Sequence, residues 1–215
     1  LMQRLSKEQL QALMLDSSVL EQDGLGPKVL RLQDSSFLKL FRTRRLFSSE
    51  TLKPYAQRFA DNARQLQNLS FIAPQIIEVY RVEDEVNGTA VHYWPLPGET
   101  LRQALQQAQP EQRCLLINQF GQLLARLHEK GVYFRSIHLG NVLLLPNGSL
   151  GLIDVADMKL GRRPLNLSMR QRNLKHMRRY EQDEEWLFKL HRDAFSDGYR
   201  QYAPRLAQAL LLRTE

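Results

Sequence analysis

Cysteine is almost missing from this chain: among 215 residues there is one, Cys114. No disulfide can form within it, so the fold must rest on packing, and a reducing compartment is expected. Cys114 itself reads as a small core residue on a helix. Long apolar runs are missing too. Leu143-Leu144-Leu145 and Leu210-Leu211-Leu212 are far short of the roughly 18–20 residues that span a bilayer. The first residues lack the charged-then-apolar texture of a signal segment. A soluble, cytoplasmic protein is the expectation. Aromatics make up 8% of the chain and do not interleave with its basic cluster. Single-strand nucleic-acid binding needs such stacking platforms, so no nucleic-acid partner is expected. Repeats and low-complexity segments are absent.

What is present is enough for a core, with 43% hydrophobic residues, and disorder is excluded on that ground. The net charge is +7, and much of the excess gathers at Arg162, Arg163, Arg170, Arg172, Lys175, Arg178 and Arg179. A basic surface attracts anionic lipid or phosphorylated substrates. A solvated helix face is the alternative reading.

Leu10, Leu13 and Met14 recur at helical spacing within residues 7–16. Three strands follow at 19–23, 28–33 and 37–42, separated by Gly24-Leu25-Gly26-Pro27 and Asp34-Ser35-Ser36. In the third, Phe37, Lys39 and Phe41 face one way and Leu38 and Leu40 the other. Lys39 either meets solvent or faces an anion in a cleft. Residues 52–69 carry Tyr55, Phe59, Ala63 and Leu66 near a 3.6-residue period. A hairpin is expected over 75–82 and 88–94, with Glu83-Asp84-Glu85 and Asn87-Gly88 in its loop.

Pro95, Pro97 and Gly98 break the pattern, making 94–98 the expected hinge. Beyond it come a short helix at 100–108 and a long one at 111–130 that Gly131 closes. Two small strands follow at 142–145 and 150–153, then helical periodicity at 165–179, 183–203 and 204–212. The expected fold is therefore α+β in two lobes: a sheet-rich lobe over 1–94 and a helical lobe over 95–215. Clefts between lobes commonly hold ligands.

The stretch from Leu127 through His128, Gly131, Arg135, Ser136, His138 and Asn141 to Leu144 resembles the catalytic loop of protein-kinase-like phosphotransferases. Asp154, in Gly151-Leu152-Ile153-Asp154-Val155, resembles the metal aspartate of that superfamily and lies thirteen positions after Asn141. Lys39 resembles its phosphate-binding lysine. The chain is similar in particular to the lipopolysaccharide kinases that act on Kdo or heptose, and to the related toluene tolerance proteins. Lys39-Leu40-Phe41-Arg42, Pro54-Tyr55-Ala56-Gln57-Arg58-Phe59, Arg170-Gln171-Arg172-Asn173-Leu174 and Arg179-Tyr180 carry that likeness.

The resemblance implies a protein-kinase-like fold with ATP and magnesium as cofactors. It also implies a sugar hydroxyl of the lipopolysaccharide core, or another anionic small molecule, as acceptor. The enzyme would be cytoplasmic or rest on the inner-membrane face. Asn141 and Asp154 would hold the metal. Gly24 and Gly26 would cover the phosphates, and adenine would meet the hinge near Tyr93 and Trp94. Arg135, Ser136 and His138 would line the catalytic loop.

Three departures bear on activity. Ser136 stands five residues before Asn141, where the family keeps an aspartate base. A serine can hold a hydroxyl but takes its proton poorly; losing a positioned base typically costs about 10²–10⁴ in rate, and His138 or Asp157 would be the substitute. Asn62 stands where a helix glutamate should pair with Lys39, leaving Asp61 and Glu50 as other candidates. In the phosphate loop Pro27 lacks an N–H. The alternative to a working kinase is a pseudokinase, a nucleotide-binding or regulatory module without the base.

Overall fold

The computed structural model describes residues 2–42, 53–83 and 88–212. It mixes helices with a multistranded sheet, an α+β composition. The chain divides into two compact units: Leu1–Leu96 together with Asp154–Ala156, and Pro97–Ile153 together with Asp157–Glu215.

The first unit contains β1 (Gln3–Leu5), α1 (Lys7–Met14), β2 (Ser18–Asp23), β3 (Gly26–Arg31), β4 (Phe37–Phe41), α2 (Tyr55–Asn68), β5 (Gln75–Val82) and β6 (Thr89–Trp94). The six strands form one sheet in the order β1-β5-β6-β4-β3-β2, antiparallel except that β1 runs parallel to β5. The period-2 alternation of β4 sorts its side chains between two faces. Leu38 and Leu40 join Leu5, Leu30, Leu32, Val82 and Ala90 in a core that Leu10, Leu13 and Met14 of α1 cover. On the opposite face, Phe41 stacks on Tyr55 of α2, and Phe59 of α2 lies 5.0 Å from the Tyr93 ring. A capping box between Ser6 and Gln9 opens α1. The strand β1 was not foreseen. Helix α2 begins at Tyr55, and Leu52, its expected first residue, lies outside the described residues, as do 84–87 of the expected hairpin loop.

The second unit contains β7 (Glu99–Thr100), α3 (Leu101–Gln107), α4 (Pro110–Glu129), β8 (Val132–Phe134), a 3-10 turn (Leu139–Asn141), β9 (Val142–Leu144), β10 (Leu150–Leu152), β11 (Met158–Leu160), α5 (Leu167–Met177), α6 (Glu181–Glu185), a π turn (Trp186–Leu190), α7 (Arg192–Tyr202) and α8 (Pro204–Leu212). Its core is helical. Helices α4 and α7 approach so closely that a Cβ at Gly198 would lie 2.0 Å from the Asn118 carbonyl oxygen. The helix expected at 183–203 is interrupted at His191, where α6 and its π turn give way to α7. Gly131 closes α4 at φ 75°, and a Cβ there would lie 2.5 Å from the Arg163 carbonyl oxygen. No helix among the described residues is long and apolar enough to cross a membrane.

Two expectations are corrected. Cys114 is exposed, with its Sγ 3.3 Å from His191 Nδ1, rather than a core residue. The basic run is not one surface: the Arg170 guanidinium is fully buried and donates to Glu129, the Tyr199 hydroxyl and the Leu165 carbonyl.

Candidate active site

In the first unit, β4 delivers Lys39 to the α2 face of the sheet. Its ammonium is nearly buried, 5.5 Å and 5.9 Å from the Phe41 and Phe59 ring centres. It donates to Asp154 Oδ1 at 2.7 Å. Asp154 thus belongs to this unit together with Val155 and Ala156, although Ile153 before it and Asp157 after them do not. Its φ of 57° puts it in the left-handed region, which costs most residues but which glycine, asparagine and aspartate enter more readily, and which tends to persist where surrounding contacts impose it.

One such contact is visible. Asn62, on the buried face of α2, donates its amide to the Val155 carbonyl at 2.8 Å. The helix position expected to carry a carboxylate for Lys39 instead clamps the backbone beside Asp154. Asp61 turns elsewhere. Burial works against its charge, but Lys53 at 2.8 Å and Gln57 hold its carboxyl below the usual range. Glu50 lies outside the described residues.

Tyr93 is buried between Phe37 and Phe59. Burial, and then the charge of Asp154, push its phenol well above the ordinary value. Trp94 next to it is exposed. Gly24 and Gly26 form the β2–β3 turn, where Asp23 pairs with Gly26 and the Asp23 carboxylate caps the Leu25 N–H. Gly26 needs its φ of 112°, and a Cβ added at either glycine would meet nothing within 4 Å.

In the second unit, the segment 135–141 links β8 to β9 and is held by its backbone. The Asn141 amide donates to the Ser136 carbonyl at 3.1 Å, and the Ile153 N–H donates to the Asn141 carbonyl. The amide nitrogen being committed, the carboxamide oxygen is its metal-competent end.

Asp183, fully buried on α6, accepts from the Leu139 N–H at 2.9 Å and from Arg102 at 2.7 Å. Burial raises its carboxyl above the usual range, opposed by the Leu139 N–H and Arg102. The ring of His138 stacks on Tyr180 at 4.3 Å. Its Nδ1 meets two donors, the Gly140 N–H at 3.0 Å and Arg102 at 3.2 Å, so Nδ1 accepts and the ring proton sits on Nε2. In that tautomer His138 can donate to a ligand from Nε2 but has no lone pair there to take a proton. Ser136 is half-buried and Arg135 exposed.

Beneath this loop, His128 is fully buried. Asn173 donates its amide to the Phe134 carbonyl, so its oxygen accepts from His128 Nε2, and Tyr199 donates to His128 Nδ1. This network fixes the end of β8. Sequence reasoning missed Asp183, Arg102 and Tyr180, whose partners are far away along the chain.

Among the described residues no three His, Cys, Asp or Glu side chains gather into a metal cage. Magnesium does not require one, since it usually takes one or two protein oxygens and completes its shell with water and substrate phosphates. The half-exposed Asp154 carboxylate and the Asn141 carboxamide are donors of that type. No protein-family model matches the chain, and no curated protein matches it significantly.

Proposed function

We propose that the chain is an ATP- and magnesium-dependent phosphotransferase with a protein-kinase-like two-lobe fold. By its resemblance to lipopolysaccharide kinases, it acts at the cytoplasmic side on a sugar hydroxyl of the lipopolysaccharide core. The observation that carries this reading is the Lys39–Asp154 pair at 2.7 Å, built on a strained aspartate that Asn62 holds. A buried cation beside a half-exposed carboxylate suits a phosphate chain and its metal, because phosphoryl transfer is mainly positioning and charge neutralisation.

Lys39 would take phosphate oxygens, and Asp154 and Asn141 would hold the ion. Bound magnesium would supply charge neutralisation on the transferring group. Asp183 and Arg102 would keep the loop in shape. Ser136 would orient the acceptor hydroxyl by a hydrogen bond, and the proton would leave late, to an oxygen of the transferred phosphoryl group and then to water, as a loose transition state allows.

Ser136 also favours a second reading, the pseudokinase. Thermal-shift titration with ATP and magnesium, followed by transfer to dephosphorylated core oligosaccharide, separates the two. Stabilisation with transfer, both lost in Asp154→Asn, is the expected result. Stabilisation without transfer to any acceptor sinks the enzyme reading and leaves the pseudokinase. Absence of stabilisation at millimolar nucleotide overturns both.

A further inference from the structure

The second unit carries a group of basic side chains that the loop chemistry above does not use. Asn173 on α5 donates to the Phe134 carbonyl, which ties this helix to the residue before Arg135. His176 follows Asn173 by three positions and so lies on the same helix face, one turn onward. Its Nε2 is buried and has no hydrogen-bond partner among the described residues. A buried polar atom without a partner calls for an explanation, commonly an ion or a water.

The charges of two guanidinium groups reach this ring. Arg135 leaves the end of β8 and Arg179 follows α5, its N–H bonded to the His176 carbonyl. Both are exposed and act electrostatically on His176. Neither makes an ion pair among the described residues. The ladder ends where Phe134 pairs with Met158, so Asp157 and Arg135 are the next residues of the two strands, and the charge of Asp157 also reaches His176. Tyr180 touches the His176 ring edge-on at 6.3 Å and stacks on His138.

We propose that Arg135, Arg179 and His176 Nε2 form a site for an oxyanion, a phosphate or carboxylate carried by the small-molecule acceptor. The proposal rests on the phosphotransferase reading and deepens it: the anion would anchor the acceptor one residue from Ser136. Forked guanidinium donors suit an oxyanion, and the Nε2–H supplies a third hydrogen bond. A phosphorylated side chain of the adjoining segment is excluded as the source, because residues 155–167 contain no serine, threonine or tyrosine.

The test titrates inorganic phosphate into the full chain without nucleotide, at constant ionic strength, read by thermal shift and by the nitrogen resonances of His176. Phosphate should bind and shift His176 Nε2. Arg135→Ala and Arg179→Ala should each weaken it about tenfold or more, as expected for a lost charge-assisted hydrogen bond. Lys39→Met should leave phosphate affinity unchanged, and glucose 6-phosphate should bind where glucose does not. Acetate in a parallel titration assigns the chemistry: tighter phosphate indicates a phosphomonoester acceptor and tighter acetate a carboxylate one, either supporting the site. Unchanged affinity in both arginine variants, or loss in Lys39→Met instead, overturns it. If nucleotide fails to bind while phosphate binding still depends on Arg135, the phosphotransferase reading falls and the anion site stands.

Discussion

Breaking the Lys39–Asp154 pair from its two ends should have unequal consequences. The Lys39 side chain is 11% exposed and that of Asp154 52%. Asp154→Asn keeps the shape and tolerates the φ of 57°, since asparagine enters the left-handed region readily. It removes the only counter-charge that Lys39 has among the described residues and leaves an ammonium among Phe41, Phe59 and the sheet. Stranding a charge in a fully buried pair costs about 3–5 kcal/mol, whereas exposed pairs contribute about 0.2–1 kcal/mol. With Asp154 half in water, the loss should fall between, at about 1–3 kcal/mol. For a chain of this size that lowers Tm by about 2–10 °C.

Lys39→Met instead removes the buried partner, fills the same space with apolar atoms, and leaves a carboxylate that water can reach. Its effect should stay within about 1 kcal/mol. The double variant should be more stable than Asp154→Asn alone, because no cation is stranded. Asp154→Ala should fall below Asp154→Asn by about 1 kcal/mol for the left-handed backbone, and Asp154→Gly should escape that term. Thermal and urea unfolding of the five proteins measure all of this. If Lys39→Met destabilises as much as Asp154→Asn, or the double variant is worse than either, the burial asymmetry is not what sets the energetics of the pair.

Asn62→Leu should cost about 1–3 kcal/mol by leaving the Val155 carbonyl without its donor, and should raise KM for ATP more than it lowers kcat. Burial pushes the His128 imidazole down to about 3. Its folded value lies below the unfolded one of about 6.5, so the unfolded state takes up the proton first and stability is lost as pH falls from about 6.5 towards 3. In urea midpoints, His128→Gln should flatten that acid limb. Gly198→Ala should cost about 3 kcal/mol or more, because the methyl meets the Asn118 backbone; circular dichroism melting checks it. Ser136→Asp should leave Tm within about 2 °C and, where chemistry limits turnover, raise kcat by about 10²–10⁴.

What the sequence disclosed follows from the range of the forces involved. Alternation across Phe37–Phe41 assigned β4 its two faces, and so put Lys39 with the aromatics, because strand periodicity is local. The apolar stripe of α4 and its glycine stop were legible for the same reason. Strand β1 was not, since three residues pair with Tyr80–Val82 far along the chain and carry no pattern of their own. The short ladder of β8 with β11 failed likewise. The break at His191 was hidden because apolar spacing runs through the π turn. Asp183 opens the helix expected at 183–203 without a signal of its own in the sequence; only its hydrogen bonds to Leu139 and Arg102 distinguish it. Asn62 misled in a different way: the residue type excluded an ion pair with Lys39, but nothing in the sequence indicated that its amide would hold a carbonyl beside Asp154.

These contacts also decide how the serine at position 136 should be weighed. The segment around it is held through backbone atoms: the Ser136 carbonyl by Asn141, and the Leu139 N–H by Asp183. Among the described residues no hydrogen bond of this scaffold uses the side chain at 136, so a change there should alter chemistry without altering the loop. The Lys39–Asp154 pair behaves oppositely, since it contributes to stability whether or not nucleotide ever binds. A chain relieved of catalysis would lose its base long before it lost that pair. The presence of Lys39 and Asp154 therefore does not by itself separate an enzyme from a module without turnover. The acceptor side, proposed at Arg135, Arg179 and His176, is where the two readings part. Recognition of an acceptor has a use in an enzyme and none in a module that only senses nucleotide.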